Sequence, residues 1–499
     1  MEPTATLLSW PLAAAGDIPT SQWLLWAGTW VAAVFFLALT IFVHELGHFL
    51  AARWRGLVVD RFSIGFGPRL WAKTIDGVDW CVSLIPLGGY VSLPQLAPME
   101  MIEGAPSAEK GAIPEAHPLD KIIVAFAGPL FSFLLALTTA GLVWFVGRPA
   151  QEAERSTVVG YVLKDSPAAK APIPLLPGDK ILAVDNKPVT SFGGARQSVI
   201  EAVVFSQGEK IQFDVERTRD DGITELITTR IRPRKDEITE LREVGIMAAE
   251  RLLVGKVMPH SPAEAAALRP GDELLLLGGK RMFSRMQFID AIAAHGSRPI
   301  ELTYLRDGAT ASARVTPEVP SGTDEPKIGI QFDAPPPIIV RPSPFMQIAE
   351  SAAAVLEVLR ALVDRKSEIG PRHMMSPVGM VDSVSRLLDI DMRLVLWYAV
   401  VINVNLALLN ILPIPVLDGG HIVFSLVEWV RRRPLPAQLI HGLQSAFAML
   451  LIAFMVYVMF YDTRRVVRQR MEEHELREKA RTAPEIAFPP EPSPATPKP

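Results

Sequence analysis

The residues best suited to chemistry fall in one five-residue run, HELGH at 44–48. His44 and His48 are four apart, so on a helix they share a face and two imidazoles can grip one divalent ion. Glu45 lies beside them, where a general base toward water is needed. Catalytic zinc usually takes three protein ligands and keeps one position open, so a third ligand must come from elsewhere. Asp418, in NILPIPVLDGGH (410–421), is the leading candidate. Two glycines follow it and allow the backbone to turn sharply. Two neutral histidines and one carboxylate would leave a zinc site at about +1, enough to lower the pKa of a bound water toward ~7. One Zn2+ per chain is the expected cofactor. Read alone, Asp418 is also a natural helix N-cap for the apolar run after it. His421 and His441 are competing ligands, although an interfacial polar side chain is the plainer reading of both.

The surroundings of HELGH decide what kind of protein carries it. It closes a run of more than twenty nearly uncharged residues, a setting where ionisable side chains are rare and usually functional. Half of the chain is apolar (49%) and its mean hydropathy is positive. Four stretches read as membrane spans: 23–52, 122–146, 394–412 and 439–461. Each meets or approaches the ~20 residues needed to cross the hydrocarbon. Trp23, Trp26, Trp397, Tyr398, Tyr457 and Tyr461 lie near span ends, as interfacial anchors do. No Lys or Arg precedes Arg53, so the chain lacks the basic start of a cleavable signal peptide. Arg53, Arg55, Arg61, Arg69 and Lys73 follow the first span, and Arg431–Arg433 precede the fourth. By the positive-inside rule both loops are cytoplasmic, and the N-terminal segment (1–22) and the region between spans two and three are periplasmic. Arg464, Arg465, Arg468 and Arg470 after the fourth span conflict with this, but the first span has the complete asymmetry. A net charge of −4 points to no nucleic-acid partner, and the single cysteine, Cys81, excludes an internal disulfide or a cysteine metal site.

The outer segment contains a repeat. SPAAKAPIPLLPGDKILAV begins at Ser166 and SPAEAAALRPGDELLLL at Ser261, 95 positions apart, about one small domain. Each follows a short β-rich run. Ser-Pro-Ala opens a helix, Pro-Gly-Asp makes a turn and a strand follows. This resembles two bacterial PDZ domains, at 157–235 and 245–335, a fold that binds an extended peptide along an exposed sheet edge. From Phe345 to Val363 apolar residues recur at helical spacing, giving an amphipathic helix within 344–392 that either lies on the outer membrane surface or packs on the repeat domains. The tail, 466–499, is charged and then Pro-rich, and disorder is expected there.

HELGH in the first span, NILPIPVLDGG at the third and a PDZ pair between spans two and three together resemble the site-2 protease family of intramembrane zinc metalloproteases, in its bacterial RseP-type branch of envelope stress signalling. RFSIGFGPRLW (61–71), SLIPLGGYV (83–91) and AFAGPLFSF (125–133) add to the match, which covers about 20–465. The resemblance implies a fold of four transmembrane helices with a membrane-associated β-hairpin, within a cytoplasmic loop at 53–121, plus two periplasmic PDZ (α+β) domains. It implies His44, His48 and Asp418 as zinc ligands and Glu45 as the catalytic acid/base. Asn405 and Asn410 would help to hold the substrate, and the hairpin would receive it, with Gly65, Gly67, Gly88 and Gly89 permitting close backbone approach. Two departures stand out: Ser132 where the family usually has Asn, and MSPVGM (375–380) where it has Gly-Pro. Neither is expected to touch the metal site.

The implied activity is cleavage of single-span membrane substrates in the bacterial inner membrane, near its cytoplasmic side. Expected substrates are an anti-sigma factor already trimmed by an upstream periplasmic protease, or remnant signal peptides. The PDZ pair would gate substrates by size or dock a peptide or protein ligand. The alternatives are a non-catalytic zinc-binding membrane scaffold presenting PDZ domains to periplasmic partners, which has no need of Glu45, and a transporter or metal sensor, which fits four spans and a large outer insert poorly.

Overall fold

The computed structural model describes residues 20–95, 116–194, 196–219, 221–321, 323–482 and 488. Residues 1–19 of the N-terminal segment, 96–115 of the first loop and the tail from 483, apart from Phe488, lie outside the described residues. The chain divides into two compact units.

The first unit comprises residues up to Arg148, Val340–Glu357 and Pro371–Val466. Helix α1 (Thr20–Trp54) carries HELGH. Its apolar residues go all round rather than along one stripe, as a lipid-embedded helix requires; Val31, Phe35 and Leu39 are exposed. Strands β1 (Arg61–Ile75) and β2 (Val78–Ser92) form an antiparallel hairpin. Its turn is Asp76-Gly77, both at positive φ, the turn chemistry that matches the twist of a hairpin. Phe62 stacks on Trp80 and meets Phe42 and Phe49 edge-on. This aromatic cluster joins the hairpin to α1. Helix α2 (Pro118–Val146) starts with Pro at its first turn and His117 as N-cap, and ends at Gly147.

The second unit comprises Pro149–Ile339, Val358–Gly370 and the chain from Val467. Its first repeat contains β3 (Val159–Val162), β4 (Lys180–Val184), α3 (Val199–Val204), β5 (Ile211–Thr218), β6 (Thr224–Ile231) and β7 (Ile246–Ala248). Strands β4, β5 and β6 are consecutive and antiparallel, and β7 pairs with β3. The second repeat contains β8 (Leu252–Val257), α4 (Pro262–Ala265), β9 (Glu273–Leu277), α5 (Arg285–His295), β10 (Ile300–Arg306), β11 (Ala309–Val315) and β12 (Ile330–Asp333). Its sheet runs β11-β10-β9-β8-β12. Each repeat has its own buried core, around Phe213 and Ile181 in one and Phe288 and Leu302 in the other.

The Pro-Gly-Asp turns do more than reverse the chain. Asp179 and Asp272 are both 1% exposed, and each accepts two 2.7 Å hydrogen bonds from one arginine, Arg217 or Arg306. Each also accepts the backbone N–H three residues upstream, from Leu176 or Arg269. One pinned turn is thus built twice, fixing the start of β4 and of β9.

After the repeats come α6 (Pro344–Val363), α7 (Pro377–Ile390), α8 (Met392–Asn410), α9 (Asp418–Arg431) and α10 (Ala437–Thr482). Ser376 is the N-cap of α7 with Pro377 after it. Its N–H and hydroxyl both donate to Asp462 of α10, at 2.6 and 2.7 Å. The Ser-Pro of MSPVGM is therefore a helix start tied to α10. Four described helices, α1, α2, α8 and α10, are long and apolar enough to cross a membrane. The tail differs from expectation: helix α10 continues unbroken through Thr482. Residues 466–482 are rich in Glu, Arg and Lys, which are good helix formers, and Glu475 pairs with Lys479 one turn on at 2.8 Å.

Candidate metal centre

Three side chains converge from α1 and the start of α9. The Nε2 atoms of His44 and His48 are 3.3 Å apart. Asp418 Oδ2 lies 3.2 Å from His44 Nε2, and Oδ1 lies 3.4 Å from His48 Nε2. Both histidines are buried, and the Asp418 side chain is 12% exposed. The four-residue spacing gives the two imidazoles one face of α1, and Gly419 and Gly420 let the start of α9 close against the carbonyls of Ile411, Leu412 and Ile414. That closeness turns Asp418 inward. Its alternative role as an N-cap does not apply, because Leu417 holds the N-cap position and Asp418 begins the helix.

The outer ring nitrogens show what the centre is for. His48 Nδ1 is 2.8 Å from the carbonyl of Val124. A carbonyl only accepts, so Nδ1 donates to it, and in the neutral ring this tautomer leaves Nε2 with the lone pair that a metal needs. His44 Nδ1 is 2.9 Å from Ser132 Oγ, while its Nε2 faces the Asn410 amide nitrogen at 3.2 Å. That amide donates, so this Nε2 is an acceptor too. Asp418 Oδ2 is buried without a hydrogen-bond donor. With both rings neutral, as metal ligation requires, two nitrogen lone pairs and a carboxylate face one another. The donor set of two imidazoles and one carboxylate fits a zinc ion.

Helix α2 shapes the other side. A Cβ at Gly128 would come within 2.2 Å of His48 Nε2, and one at Gly47 within 2.4 Å of the Ala127 carbonyl, so two glycines let α1 and α2 approach closely enough for both histidines to reach their partners on α2. Ser132 is completely buried. It was not expected at the metal site; the structure corrects this, because its position one turn after Gly128 aims the hydroxyl at His44. Gly128 and Ser132 both lie in the AFAGPLFSF stretch, where the small residues are the signal that a large group must fit against this helix.

Glu45 shares a small cavity with His48, Asp418, Lys121 and His421. Lys121 pairs there with Glu428 of α9 at 3.0 Å; nothing in its spacing along the sequence marked it. Gly89 of β2 touches Glu45, since a Cβ there would lie 2.8 Å from Glu45 Cγ and 2.9 Å from the Ser63 carbonyl. Gly88 faces the Phe66 ring instead, and Gly65 and Gly67 hold positive φ in β1. Asn410 is brought to the centre, whereas Asn405 is half-buried on α8 outside the hydrogen-bonded cluster. Among the described residues neither His421 nor His441 joins the ligand group; His421 meets Gln444 at 3.3 Å.

The family model for Peptidase family M50 matches residues 32–454, which takes in both halves of this centre. The chain belongs to peptidase family M50. As an M50 peptidase, of the site-2 protease kind, it is an intramembrane metalloprotease. It is 29% identical over 452 residues to "Putative zinc metalloprotease NMA0084" of Neisseria meningitidis serogroup A, covering 87% of this chain and 98% of that one. To the regulator of sigma-E protease RseP of Escherichia coli K12 it is 26% identical over 470 residues, covering 88% and 99%. The M50 chain is also similar to a solved PDZ domain of an SdrC-like protein from Listeria monocytogenes, 23% identical with a TM-score of 0.16, covering 17% of this chain and 90% of that one.

Proposed function

We propose that this M50 peptidase is a zinc-dependent endopeptidase that cuts single-span membrane proteins inside the bacterial inner membrane. The observation that carries the reading is the convergence of His44, His48 and Asp418, with the outer nitrogen of His48 turned to the Val124 carbonyl. His44, His48 and Asp418 hold the metal. Zinc, when bound, acts as a Lewis acid that acidifies water and polarises a carbonyl. Glu45 takes the proton of the attacking water and returns it to the leaving amine. Asn410, at the edge of the cluster, offers its amide to the oxygen of the scissile carbonyl.

A substrate helix has no free carbonyl to attack, and bare backbone in lipid costs several kcal/mol per unpaired group. The β1–β2 hairpin supplies an edge on which an unwound segment can pair. Gly89 sets that hairpin against Glu45, so the paired segment is presented where the proton transfers occur. The basic residues after α1 support a position of this chemistry near the cytoplasmic face, with the two repeats, read as PDZ domains, in the periplasm. There they gate substrates by size or dock a peptide ligand. The name of the Escherichia coli relative supports an anti-sigma factor, trimmed first by a periplasmic protease, as one substrate, with remnant signal peptides as another class.

The deciding experiment compares full-length wild type with Glu45→Gln for metal content and for cleavage of a single-span test substrate. The expected result is equal zinc, one per chain, with a rate lower by about 10²–10⁴ in the variant. Cleavage by the zinc-loaded variant at the wild-type rate would remove Glu45 from the mechanism, and a wild type without zinc would remove the metal.

A further inference from the structure

We propose that the C-terminal tail is an internal ligand of the second repeat domain, with Phe488 as its anchor. Phe488 is the only aromatic residue after Tyr461 and sits in EIAFPPEP, a sequence with no apolar pattern of its own. Yet its side chain is 5% exposed. A lone ring in a Pro-rich tail can be buried only by a surface offered elsewhere, and the contacts identify that surface.

The ring lies over Gly329. A Cβ at Gly329 would come within 2.8 Å of Phe488 Cε2, and within 2.2 Å of Ser261 Cβ. Gly329 is at φ +80°, so the position is closed to other residues on two counts. Ser261 is the buried N-cap of α4. Glycine and serine thus form a floor immediately before β12, and among the described residues β12 has one sheet neighbour, β8.

The first repeat provides an internal comparison. Gly245, at φ +77°, stands immediately before β7, and its Cβ would meet Ser166 Cβ at 2.3 Å. The next side chain there is Leu163, with its Cβ at 3.6 Å and no tail residue among the nearest atoms. The same floor is built in both copies, and the ring covers only the second. The path of the chain agrees. Helix α10 runs through Thr482, and Arg468 on it donates to the Glu237 carbonyl at 2.9 Å. Six residues from Thr482 reach at most roughly 20 Å to Phe488. So short a tether gives an effective concentration in the millimolar range, against which any peptide arriving from outside must compete.

The test uses the full-length protein in detergent and a labelled synthetic peptide of sequence PEIAFPPEP, residues 484–492. The Phe488→Ala protein should bind this peptide about tenfold more tightly than wild type does, and the same peptide with Ala for Phe should not bind. Backbone amides of 258–263 and 328–333 should exchange hydrogen faster in Phe488→Ala than in wild type. Phe488→Leu, which keeps an apolar side chain, should hold most of the protection. Equal peptide binding by wild type and Phe488→Ala, or no binding to either, would overturn the proposal, as would unchanged exchange at both segments. None of these readings depends on cleavage, so they stand apart from the assignment of the metal centre.

Discussion

Ser132 has no exposed surface, and its hydroxyl is the partner of His44 Nδ1. A hydrogen bond to the outer nitrogen of a ligating histidine fixes the ring and its tautomer, and losing it typically lowers metal affinity 10- to 100-fold. Ser132→Ala should therefore weaken zinc binding by about that factor, read by competition with a chelator of known affinity, while the protein stays folded. Unchanged affinity would reduce Ser132 to packing. The meeting of His44, His48 and Asp418 was legible in the sequence because the four-residue spacing pairs the histidines and an acidic residue follows the third span. Ser132 and Gly128 were not, because their roles arise from α2 packing against α1 and no local pattern encodes which hydroxyl meets which imidazole.

Among the elements, the hairpin depends most on a single contact. Alanine at Gly89 would overlap Glu45 Cγ and the Ser63 carbonyl, so β2 would have to retreat from α1. Gly89→Ala should cut cleavage at least about tenfold, since displacements of about 1 Å can cost 10²-fold, while leaving zinc content unchanged. A fully active Gly89→Ala protein would separate the hairpin from catalysis. The pinned turns give an effect of pH. Burial alone would raise the pKa of Asp272, but the Arg306 guanidinium and the Arg269 N–H hold it below its ordinary value of 3.8. A carboxylate lowered on folding contributes stability that is complete above its unfolded pKa and is lost as pH falls through the folded one. Asp272→Asn should therefore unfold the second repeat at a lower temperature at neutral pH, with the difference from wild type shrinking only below about pH 4. Proteolysis across a temperature ramp at several pH values measures this. The turn was legible as Pro-Gly-Asp; the arginine that grips it was not, because it lies 34 residues away in sequence.

For the whole molecule, the four spans and the repeat were legible because bilayer thickness and domain size impose lengths that composition displays directly. The helical continuation of the fourth span to Thr482 was not, since charged residues compatible with a disordered tail are equally compatible with an exposed helix. If the repeat pair gates substrates, deleting 157–335 should let the enzyme cut a substrate that still carries a bulky outer domain, at least tenfold faster than wild type does. Equal rates on that substrate would leave docking as the role of the pair.

The centre joins residues that are made far apart in time. Asp418 is 370 positions after His48. At roughly 5–20 residues per second of synthesis, some 20–70 s separate the emergence of the two. During that interval the candidate centre has its two histidines and lacks its carboxylate. A chain that ended before Asp418 would carry both histidines but not the carboxylate that completes the candidate metal centre.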